Sequence, residues 1–375
     1  MEALSSSNMS EPMIRLQNVS KTFPGSSTPA VDGLSFDVSE GEIVVLVGPS
    51  GCGKTTTLKM INRIIEPTSG SIRVAGVEAT ETEPHLLRRQ IGYVIQQTGL
   101  FPHRTIGQNI ATVPRLLGWE KDRTAERVAE LIELVGLDQE MLDRYPAELS
   151  GGQQQRVGVA RALAADPPVL LMDEPFGAVD PIVRLRLQEE LLSLQERVHK
   201  TIVFVTHDID EAIQLGDRVA ILNVGGVLEQ FGSPEEILRE PANDFVAEFL
   251  GSDRGLKRLS LIPIRDVSLD TGPVVAPGDP IAAAHHVAER YGVDWVAVGS
   301  RNQLHGWIPL DKLEGMDSIP GDGLEYFKTT LSVDGSLKEA LDAVVSSRTR
   351  VAAVFDGDAY LGMLTAEQIS EEVVQ

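Results

Sequence analysis

Apolar runs alternate with amphipathic stretches over the first two thirds of the chain, from about residue 14 to residue 250. Three short runs, at 43–47, 169–172 and 202–205, are entirely apolar and rich in β-branched residues or leucine. Unbroken runs of this length are typical of strands that are buried on both faces of a parallel sheet. The pattern therefore predicts an α/β domain that is built on a central, partly parallel sheet.

A charged stretch with helical character interrupts this alternation between residues 101 and 149, and residues 125–135 show it most clearly. Apolar positions on one face of such a stretch indicate amphipathic helices. We therefore expect a helical subdomain, at about 98–160, within the α/β domain.

The last third of the chain contains an internal repeat with a constant offset of 56 residues. Each unit predicts a helix, a strand, a turn, a strand and a second helix. Two such units would bury each other's apolar faces, which predicts an α+β module. One helical face of the second unit is predicted to comprise Leu337, Ala340, Leu341, Val344 and Val345. The aligned pairs are Pro280-Ile281 with Ser336-Leu337, Ala284 with Ala340, Val298 with Val354, and Gly306 with Gly362.

A change of composition near residue 250 divides the chain into its predicted domains. The expected segments are a flexible tail at 1–13, the α/β domain at 14–250, a linker at 251–258 and the repeated module at 259–375, with its repeats at about 259–315 and 316–375.

The composition narrows the possible classes of function. The 375 residues include 33 basic and 55 acidic side chains, so the net charge is −22 at pH 7. Such a surface repels phosphate backbones and anionic lipid, which argues against a nucleic-acid-binding protein. The single cysteine, Cys52, excludes an internal disulfide framework and a cysteine-rich zinc site. The chain lacks an apolar run of about 18 residues and the apolar core of a signal peptide, which predicts a cytoplasmic protein.

A glycine-rich motif follows the first of the three apolar runs. Residues 48–55 read Gly-Pro-Ser-Gly-Cys-Gly-Lys-Thr and precede a helical stretch. The phosphate-binding pattern G-x-x-x-x-G-K-[ST] requires this strand-loop-helix context. The glycines let backbone N–H groups surround a β-phosphate, Lys54 neutralises phosphate oxygens, and the Thr55 hydroxyl can ligate Mg²⁺. The alternatives are a chance glycine-rich turn for the motif and redox sensing for Cys52, which we interpret as a small loop residue.

Two carboxylates, Asp173 and Glu174, follow the apolar run at 169–172. Adjacent acids repel each other, so they need a cation or separate roles. Asp173 suits the coordination shell of Mg²⁺, and Glu174 suits the polarisation of an attacking water molecule. Taken alone, a strand that ends in Asp-Glu is often only the start of a loop.

A third motif, Leu149-Ser-Gly-Gly-Gln153, opens a helical run and predicts a second anion-binding helix start. A single ATP cannot easily use both helix starts within one compact domain. We therefore expect two copies of the chain face to face, with Ser150 and Gly152 of each copy contacting the nucleotide of the other. The alternative is an N-cap serine with a flexible entry.

His207 follows the third apolar run, in the sequence Val205-Thr-His-Asp208. A neutral histidine can donate and accept hydrogen bonds near pH 7. His207 could therefore hold a γ-phosphate and orient a water molecule together with Glu174. A purely structural histidine is the alternative.

These motifs together resemble those of the ATP-binding cassette (ABC) family of transport ATPases, over about residues 14–250. The resemblance implies a P-loop NTPase fold and the cofactors ATP and Mg²⁺. It implies that Glu174 is the catalytic glutamate, that His207 is the switch histidine, and that Gln96 contacts Mg²⁺ and water and senses the membrane subunit. Phe23 lies where the family usually has a tyrosine that stacks on adenine, and a phenyl ring can also stack.

The resemblance also assigns the remaining site residues and the partners. Asp180 matches the family's dimer-contact aspartate, and residues 149–153 match its signature sequence. The implied partners are a second copy of the chain, a membrane permease and, through the complex, an extracytoplasmic substrate-binding protein. The implied metal ligands are Thr55, Gln96 and Asp173. The implied nucleotide-binding residues are Phe23, Gly48, Pro49, Ser50, Gly51, Cys52, Gly53, Lys54, Thr55, Thr56, Ser150, Gly151, Gly152, Gln153 and Asp180.

Two further resemblances narrow the function. Residues 60–70 are similar to those of the ATPases of quaternary-amine importers, which take up glycine betaine, proline betaine, carnitine or choline. The C-terminal repeat resembles the tandem CBS module that such ATPases often contain. A nucleotide-binding CBS unit usually ends in Thr-x-x-Asp, but this chain has Thr365-Ala-Glu-Gln368 and Pro309-Leu-Asp-Lys312. Because neither unit has the ribose-binding carboxylate, we expect a regulatory or dimer-stabilising module rather than an ordinary AMP or ATP site.

The sequence thus predicts an ATPase at the cytoplasmic face of the membrane that energises uptake of a quaternary-amine osmoprotectant. The rivals are an importer of an amino acid or polyamine and a soluble switch ATPase with the same fold. Residues 101–104 could line a groove for a permease helix, or form a solvated loop. We interpret His285 and His286 as helix-surface residues and Trp295 and Trp307 as core residues.

Overall fold

The computed structural model describes residues 11–96, 99–177, 179–300 and 302–374. Residues 1–10, which make up most of the predicted tail, lie outside this description. The chain separates into two compact units, residues 1–251 and 252–375, and each has its own sheets.

The first unit contains two sheets. A four-stranded antiparallel sheet has the order β2-β1-β4-β5, and a six-stranded sheet has the order β10-β9-β3-β8-β7-β6. The strands are β1 (Ile14–Lys21), β2 (Val31–Val38), β3 (Ile43–Val47), β4 (Ser69–Val74), β5 (Val77–Glu78), β6 (Ile91–Val94), β7 (Val169–Asp173), β8 (Thr201–Val205), β9 (Arg218–Asn223) and β10 (Val227–Gly232).

The six-stranded sheet confirms the predicted α/β architecture. Its strands β6, β7, β8, β3 and β9 are parallel, and only β10 pairs in the antiparallel direction. Every residue of β3, β7 and β8 is buried, as their unbroken apolar runs predicted. Because these strands are parallel, their carboxyl ends, and the polar residues that follow them, meet at one edge of the sheet.

Ten helices accompany these sheets in the described part of the first unit, and the segment between β6 and β7 is helical as predicted. They are α1 (Lys54–Ile61), α2 (Pro84–Leu87), α3 (Ile106–Ile110), α4 (Thr112–Leu116), α5 (Lys121–Leu134), α6 (Gly151–Leu163), α7 (Pro181–Val198), α8 (Ile209–Leu215), α9 (Pro234–Arg239) and α10 (Asp244–Leu250).

The second unit contains two three-stranded sheets with the same topology. Their orders are β11-β12-β13 and β14-β15-β16, and in each sheet a parallel pair is followed by an antiparallel pair. The strands are β11 (Val274–Val275), β12 (Trp295–Ser300), β13 (Gln303–Pro309), β14 (Thr330–Ser332), β15 (Val351–Asp356) and β16 (Ala359–Thr365). The helices are α11 (Arg254–Leu259), α12 (Ile281–Tyr291), α13 (Leu337–Ser346) and α14 (Ala366–Val374).

The 56-residue repeat is present in the strand register. Val298 pairs with Gly306 in the first sheet, and Val354 pairs with Gly362 in the second. The two repeats bury apolar faces against each other, since Trp295 and Trp307 share one core cluster with Tyr360. Both tryptophans are core residues, as predicted.

The segments before the first strand of each repeat pair with the other repeat. Asp270 precedes β11 of the first repeat but bridges to Met363 of the second, whereas Glu325 precedes β14 of the second repeat but bridges to Trp307 of the first. The 56-residue offset alone does not predict this exchange, because it describes each repeat separately.

Three local predictions differ from the structure. Part of the predicted linker at 251–258 forms the start of α11, because Lys257 and Leu259 are buried within the second unit. The second helix of the first repeat is only a 3₁₀ turn, Leu310–Leu313, which is followed by Gly315 at φ +82°. The predicted apolar face of α13 was wrong at Val345, which is 75% exposed because it lies past the buried stripe near the end of the helix.

Candidate nucleotide-binding site

The loop at 48–55 connects the carboxyl end of β3 with the start of α1. Gly53 is the N-cap of α1, at φ +96°, and a Cβ atom there would lie 2.5 Å from Ala30 O. At Gly48 a Cβ atom would lie 2.1 Å from Leu222 O. Neighbouring backbone therefore leaves no room for a side chain at either position, and the loop wraps closely around the helix start.

Lys54 is 6% exposed, and its Nζ atom donates hydrogen bonds to Gly48 O at 2.7 Å and to Pro49 O at 3.1 Å. The ammonium group is thus held over the concave side of its own loop. The side chain of Cys52 is fully buried in the hydrophobic core, with its Sγ atom 3.6 Å from Lys54 Nζ. This position agrees with its interpretation as a small loop residue.

Thr55 and Asp173 come together across the carboxyl ends of β3 and β7. The Thr55 hydroxyl donates to Asp173 Oδ1 at 2.8 Å. Burial raises the pKa of the Asp173 carboxyl, and the Thr55 hydrogen bond opposes this effect. A hydroxyl and a carboxylate oxygen at this separation fit the oxygen ligands that Mg²⁺ prefers.

Tyr93 is a residue of this site that the sequence analysis missed. It lies on β6, its hydroxyl faces the Asp173 carboxylate, and burial raises its own pKa. Tyr93 pairs with Leu171, two residues before Asp173 in the neighbouring parallel strand, so this proximity becomes apparent only once the strand order is known.

Glu174 is the meeting point of the three predicted catalytic residues. Gln96 Nε2 donates to Glu174 Oε2 at 3.1 Å, and His207 Nδ1 lies 3.4 Å from the same oxygen. The side chain of Glu174 is 23% exposed and that of His207 is 60% exposed, so both remain accessible to a ligand. The arrangement can polarise a water molecule beside a bound phosphate.

A cavity of ≈410 Å³ extends from the phosphate-binding loop to Glu174 and His207, which form part of its wall. Gln96, Asp173 and Tyr93 are not among its lining residues. Ala30, which no sequence motif indicated, also lines it. The remaining lining residues are Ser50, Gly51, Cys52, Gly53, Lys54, Thr55 and Thr56.

The signature residues do not line this cavity within one chain. Ser150 is the exposed N-cap of α6: its Oγ atom accepts from Gln153 N, and its own N–H donates to Gln153 Oε1. Gly151 is exposed and Gly152 is half-buried at the same helix start. The N-cap geometry is therefore present. Because these residues do not line the cavity that contains Lys54, a nucleotide in that cavity would not contact them within the same chain.

Phe23 and Asp180 also lie outside the cavity wall. The Phe23 ring is 40% exposed and lies 5.3 Å from Lys21 Nζ. Asp180 is the exposed N-cap of α7, and its Oδ1 atom accepts from Val183 N at 3.1 Å.

A buried polar network lies directly behind His207. Gln188 Nε2, on α7, donates to Glu211 Oε1, on α8, at 2.8 Å, and the Thr206 hydroxyl also faces the Glu211 carboxylate. Burial raises the pKa of Glu211. Arg184 Nη1 lies 3.6 Å from Asp208 Oδ2, which makes a second link between the same two helices. No motif pointed to this network, because its members are far apart in the sequence.

The other candidates have ordinary surroundings. His285 and His286 are both exposed on α12, and the described residues contain no group of three potential metal-binding side chains. In the loop at 101–104, the Phe101 ring is 39% exposed and the Arg104 guanidinium lies over it, 4.6 Å from its centroid.

The ends of the C-terminal repeats are occupied by internal contacts. Gln368 Oε1 accepts from Thr365 N at 2.9 Å, and Gln368 Nε2 donates to Ser268 O at 3.2 Å. In the other repeat, Lys312 Nζ lies 2.7 Å from Glu325 Oε1. The side chain at the position of the missing ribose carboxylate therefore bonds to the protein itself.

Comparisons with known proteins give a consistent result. A family model described as ABC transporter matches residues 31–177. The osmoprotectant import ATP-binding protein OsmV of Salmonella typhimurium is 45% identical over 96% of both chains. The glycine betaine/carnitine/choline transport ATP-binding protein OpuCA of Bacillus subtilis is 46% identical, again over 96% of both chains.

A solved structure is similar to part of the chain. It is a dimeric, post-hydrolysis state of an ATP-binding cassette bound to ADP and phosphate, with a TM-score of 0.53 and 33% identity. The match covers 59% of this chain and 99% of the other. Among the described residues, no helix has both the length and the apolar character needed to cross a lipid bilayer.

Proposed function

Because the chain belongs to the ABC transporter family, we propose that it is the ATP-hydrolysing subunit of an importer for quaternary-amine osmoprotectants such as glycine betaine, carnitine and choline. The substrate class is supported by relatives named for these solutes, which match 96% of the chain and so include its C-terminal unit. The observation that carries the hydrolytic function is the convergence of Gln96 and His207 on Glu174, beside the cavity of the phosphate-binding loop.

In this proposal the polyphosphate lies along the loop at 48–56. Backbone N–H groups and the positive end of α1 stabilise its charge, and Lys54 exchanges its loop carbonyls for phosphate oxygens. Thr55, Asp173 and Gln96 would hold Mg²⁺, which neutralises charge on the β- and γ-phosphates when it is bound. The geometry of two of these residues fits, since the Thr55 hydroxyl and the Asp173 carboxylate lie within hydrogen-bonding distance.

Glu174 and His207 perform the chemical step on the attacking water. The Glu174 carboxylate accepts a proton from the water as the water oxygen bonds to the γ-phosphorus atom, the bond from that phosphorus to the β–γ bridging oxygen breaks, and ADP leaves; Gln96 orients the same carboxylate. His207 donates a hydrogen bond to a γ-phosphate oxygen, where negative charge increases. The Phe23 ring is exposed and therefore available to stack on adenine.

A second copy of the chain completes the site. The helix start at Ser150, Gly151, Gly152 and Gln153 is accessible but does not reach the cavity of its own chain. We infer that it caps the γ-phosphate of the other copy, with Asp180 at the contact between copies. Closure of this pair around two ATP molecules would drive a membrane permease, which keeps the subunit at the cytoplasmic face and receives solute from an extracytoplasmic binding protein.

The C-terminal unit is assigned a regulatory or dimer-stabilising role as a tandem CBS module. Its duplicated sheets and shared core support this assignment. The internal hydrogen bonds of Gln368 argue against ordinary AMP or ATP binding there.

Uptake by the reconstituted complex tests the proposal. Labelled glycine betaine, choline and carnitine would be compared with a labelled amino acid and a polyamine, with ATP inside the vesicles and at several ionic strengths. We expect ATP-dependent uptake of at least one quaternary amine and none with Glu174→Gln. Glu189→Gln, an exposed glutamate of α7, is the matched control and should transport normally. Uptake of only the amino acid or the polyamine would refute the substrate class.

A further inference from the structure

A second cavity, of ≈270 Å³, lies among α5, α6 and α7. It shares no lining residue with the cavity at Lys54. Its walls are largely aliphatic: Leu187, Leu191 and Leu194 come from α7, and each is at most 5% exposed. Met172, at the end of β7, and Phe176, in the following turn, form its floor.

One polar side chain in this wall lacks a partner. Gln155, on α6, is 5% exposed, and its Nε2 atom makes no hydrogen bond. Among the described residues that line the cavity, it is the one with a buried polar side-chain atom left unpaired. A buried donor of this kind lowers stability until an acceptor reaches it.

The charged groups at the rim are already paired with protein. Arg156 Nη1 donates to Gly136 O at 3.1 Å, and the same guanidinium pairs with Glu190. Arg197 Nη2 donates to Leu134 O at 3.1 Å. The cavity therefore offers an apolar space and one buried donor without a partner, and its lining has no net charge to select an ion.

The cavity also contacts three elements that carry or directly follow predicted site residues. Helix α6 begins after Ser150, the turn at Pro175 and Phe176 directly follows Glu174, and α7 begins after Asp180. A molecule in this space would fix the separation of these elements, so its binding would be coupled to hydrolysis.

We propose that this cavity is an effector site for a small uncharged molecule with an apolar body and one hydrogen-bond acceptor. The acceptor takes the free Gln155 amide hydrogen, and the apolar body packs on the leucines of α7. The volume lies just below the range of about 300–1,000 Å³ that is typical of ligand pockets, so the occupant is about the size of one substituted ring. The effect on hydrolysis rests on the proposed function, whereas binding itself does not.

Two probes of equal shape test the binding step on the full chain. Acetophenone has a carbonyl acceptor, and α-methylstyrene replaces that oxygen with a methylene group. Binding would be followed by NMR on protein labelled at the methionine methyl groups, because the fully buried Met172 lines the cavity. We expect acetophenone to shift the Met172 signal saturably and to bind about tenfold more tightly than α-methylstyrene, as one net hydrogen bond predicts.

Two variants localise the contact. Gln155→Met keeps the length of the side chain but removes the donor, so the preference for acetophenone should disappear; Gln155→Leu answers the same question if the first variant does not fold. Val159→Phe fills the cavity from α6 and should abolish binding of both probes. An unchanged preference in Gln155→Met, or binding that persists in Val159→Phe, would overturn the assignment. So would a wild-type chain that binds neither probe because water alone occupies the Gln155 site.

The effector role has a separate readout. Saturating acetophenone should change the rate of ATP hydrolysis by the wild-type chain but not by Val159→Phe. Binding without any change in rate would overturn the coupling and leave only a passive cavity. A wild-type chain that hydrolyses no ATP would instead refute the proposed function, while the NMR result would still decide whether the site exists.

Discussion

Glu174 adopts a left-handed backbone conformation, with φ +45°, at the end of β7. A non-glycine residue held there costs about 1–3 kcal/mol, and its N–H compensates in part by donating to Val205 O at 2.9 Å. The turn sends the Glu174 carboxylate toward His207, whereas Asp173 faces Thr55. The two adjacent acids thus have separate partners, although the Glu174 charge still contributes to the raised pKa of Asp173.

Replacing Glu174 with glutamine removes the carboxylate base but keeps its size. We expect ATP hydrolysis to fall by about 10²–10⁴, the usual contribution of a general base, while ATP still binds. Size-exclusion chromatography with ATP should then show a persistent ATP-bound dimer. The Glu189→Gln control should hydrolyse ATP normally and should not accumulate this dimer. Steady-state hydrolysis at the wild-type rate in Glu174→Gln would remove Glu174 from its role.

Two glycines of the phosphate-binding loop separate two costs of adding a side chain: the strain of a positive φ and a steric clash with neighbouring backbone. Both have positive φ, +152° at Gly48 and +81° at Gly51, but only Gly48 has backbone within 4 Å of a Cβ position. Gly48→Ala should therefore lower the free energy of unfolding by more than Gly51→Ala, which meets only the conformational cost of about 1 kcal/mol. Urea unfolding of both variants measures this difference. Equal losses would mean that the contact with Leu222 O relaxes freely.

At the residue scale, the motifs predicted the residues that come together at the candidate site, but not all the residues that contact and support them. Lys54, Thr55, Asp173, Glu174 and His207 could be recognised because each follows an apolar run in a fixed local pattern. Tyr93, Ala30 and Glu211 could not, since their contacts depend on which strands and helices are neighbours. That information is in the strand order rather than in any short stretch of sequence.

At the scale of elements, α7 and α8 join the helix start at Asp180 to His207, the predicted switch residue. The link is buried: Gln188 is 2% exposed and Glu211 is 6% exposed. Because Thr206 faces the Glu211 carboxylate and is next to His207, a shift of α7 would be transmitted to the histidine. The two helices thus support the catalytic centre from behind.

The raised pKa of Glu211 makes this link sensitive to pH. Burial raises the pKa above its ordinary value of 4.5; Asp208 also raises it, whereas Thr206, Gln188 and Arg184 lower it. The folded state therefore favours the protonated carboxyl, and this stabilisation is complete below the unfolded pKa and is lost as pH rises through the folded value. Relative to wild type, Glu211→Gln should thus become progressively more stable as pH increases from the ordinary range of a glutamate toward neutrality.

Urea unfolding of wild type and Glu211→Gln over that pH interval measures the change. Glu189→Gln, which removes one exposed carboxylate from the same part of the chain, controls for the altered net charge. A stability difference between wild type and Glu211→Gln that stays constant with pH, or that moves in the opposite direction, would contradict the assignment.

Periodicity predicted most elements but failed where tertiary contacts decided the outcome. The segment at 251–258 was interpreted as a linker from its composition, yet its last residues enter α11 because Leu259 packs with α13 in a common core. Val345 has the spacing of an apolar face, but the helix ends at Ser346 before any neighbour covers it. The local sequence pattern alone cannot show which part of an apolar helix face is covered by a neighbouring element.

At the scale of the whole molecule, each of the two units has its own core. The hydrophobic cluster of the antiparallel sheet and β3 draws all its members from the first unit, and the clusters around Ala340, Ala284 and Trp295 draw theirs from the second. We therefore expect a chain that ends at Gly251 to fold and to bind ATP, because it keeps every residue of the nucleotide site.

Deleting residues 252–375 distinguishes sensing from dimer stabilisation by the second unit. If the unit senses ionic strength or a ligand, uptake by the reconstituted truncated complex should lose that dependence while ATP hydrolysis persists. If the unit only holds two copies together, the dependence should remain and the dimer should dissociate at lower dilution. Analytical ultracentrifugation and uptake measured across a salt series separate these outcomes, and full-length protein is the control.

The exchange of segments between the two repeats has a consequence for a repeat in isolation. In each repeat, the lead-in segment before the first strand pairs with the other repeat, as the bridges from Asp270 to Met363 and from Glu325 to Trp307 show. A peptide with only one such repeat would leave its lead-in without a place to bind, unless a twin supplied the missing edge. We therefore expect one repeat expressed alone to associate as a two-fold pair in a concentration-dependent manner, because each copy would supply the edge that the other lacks.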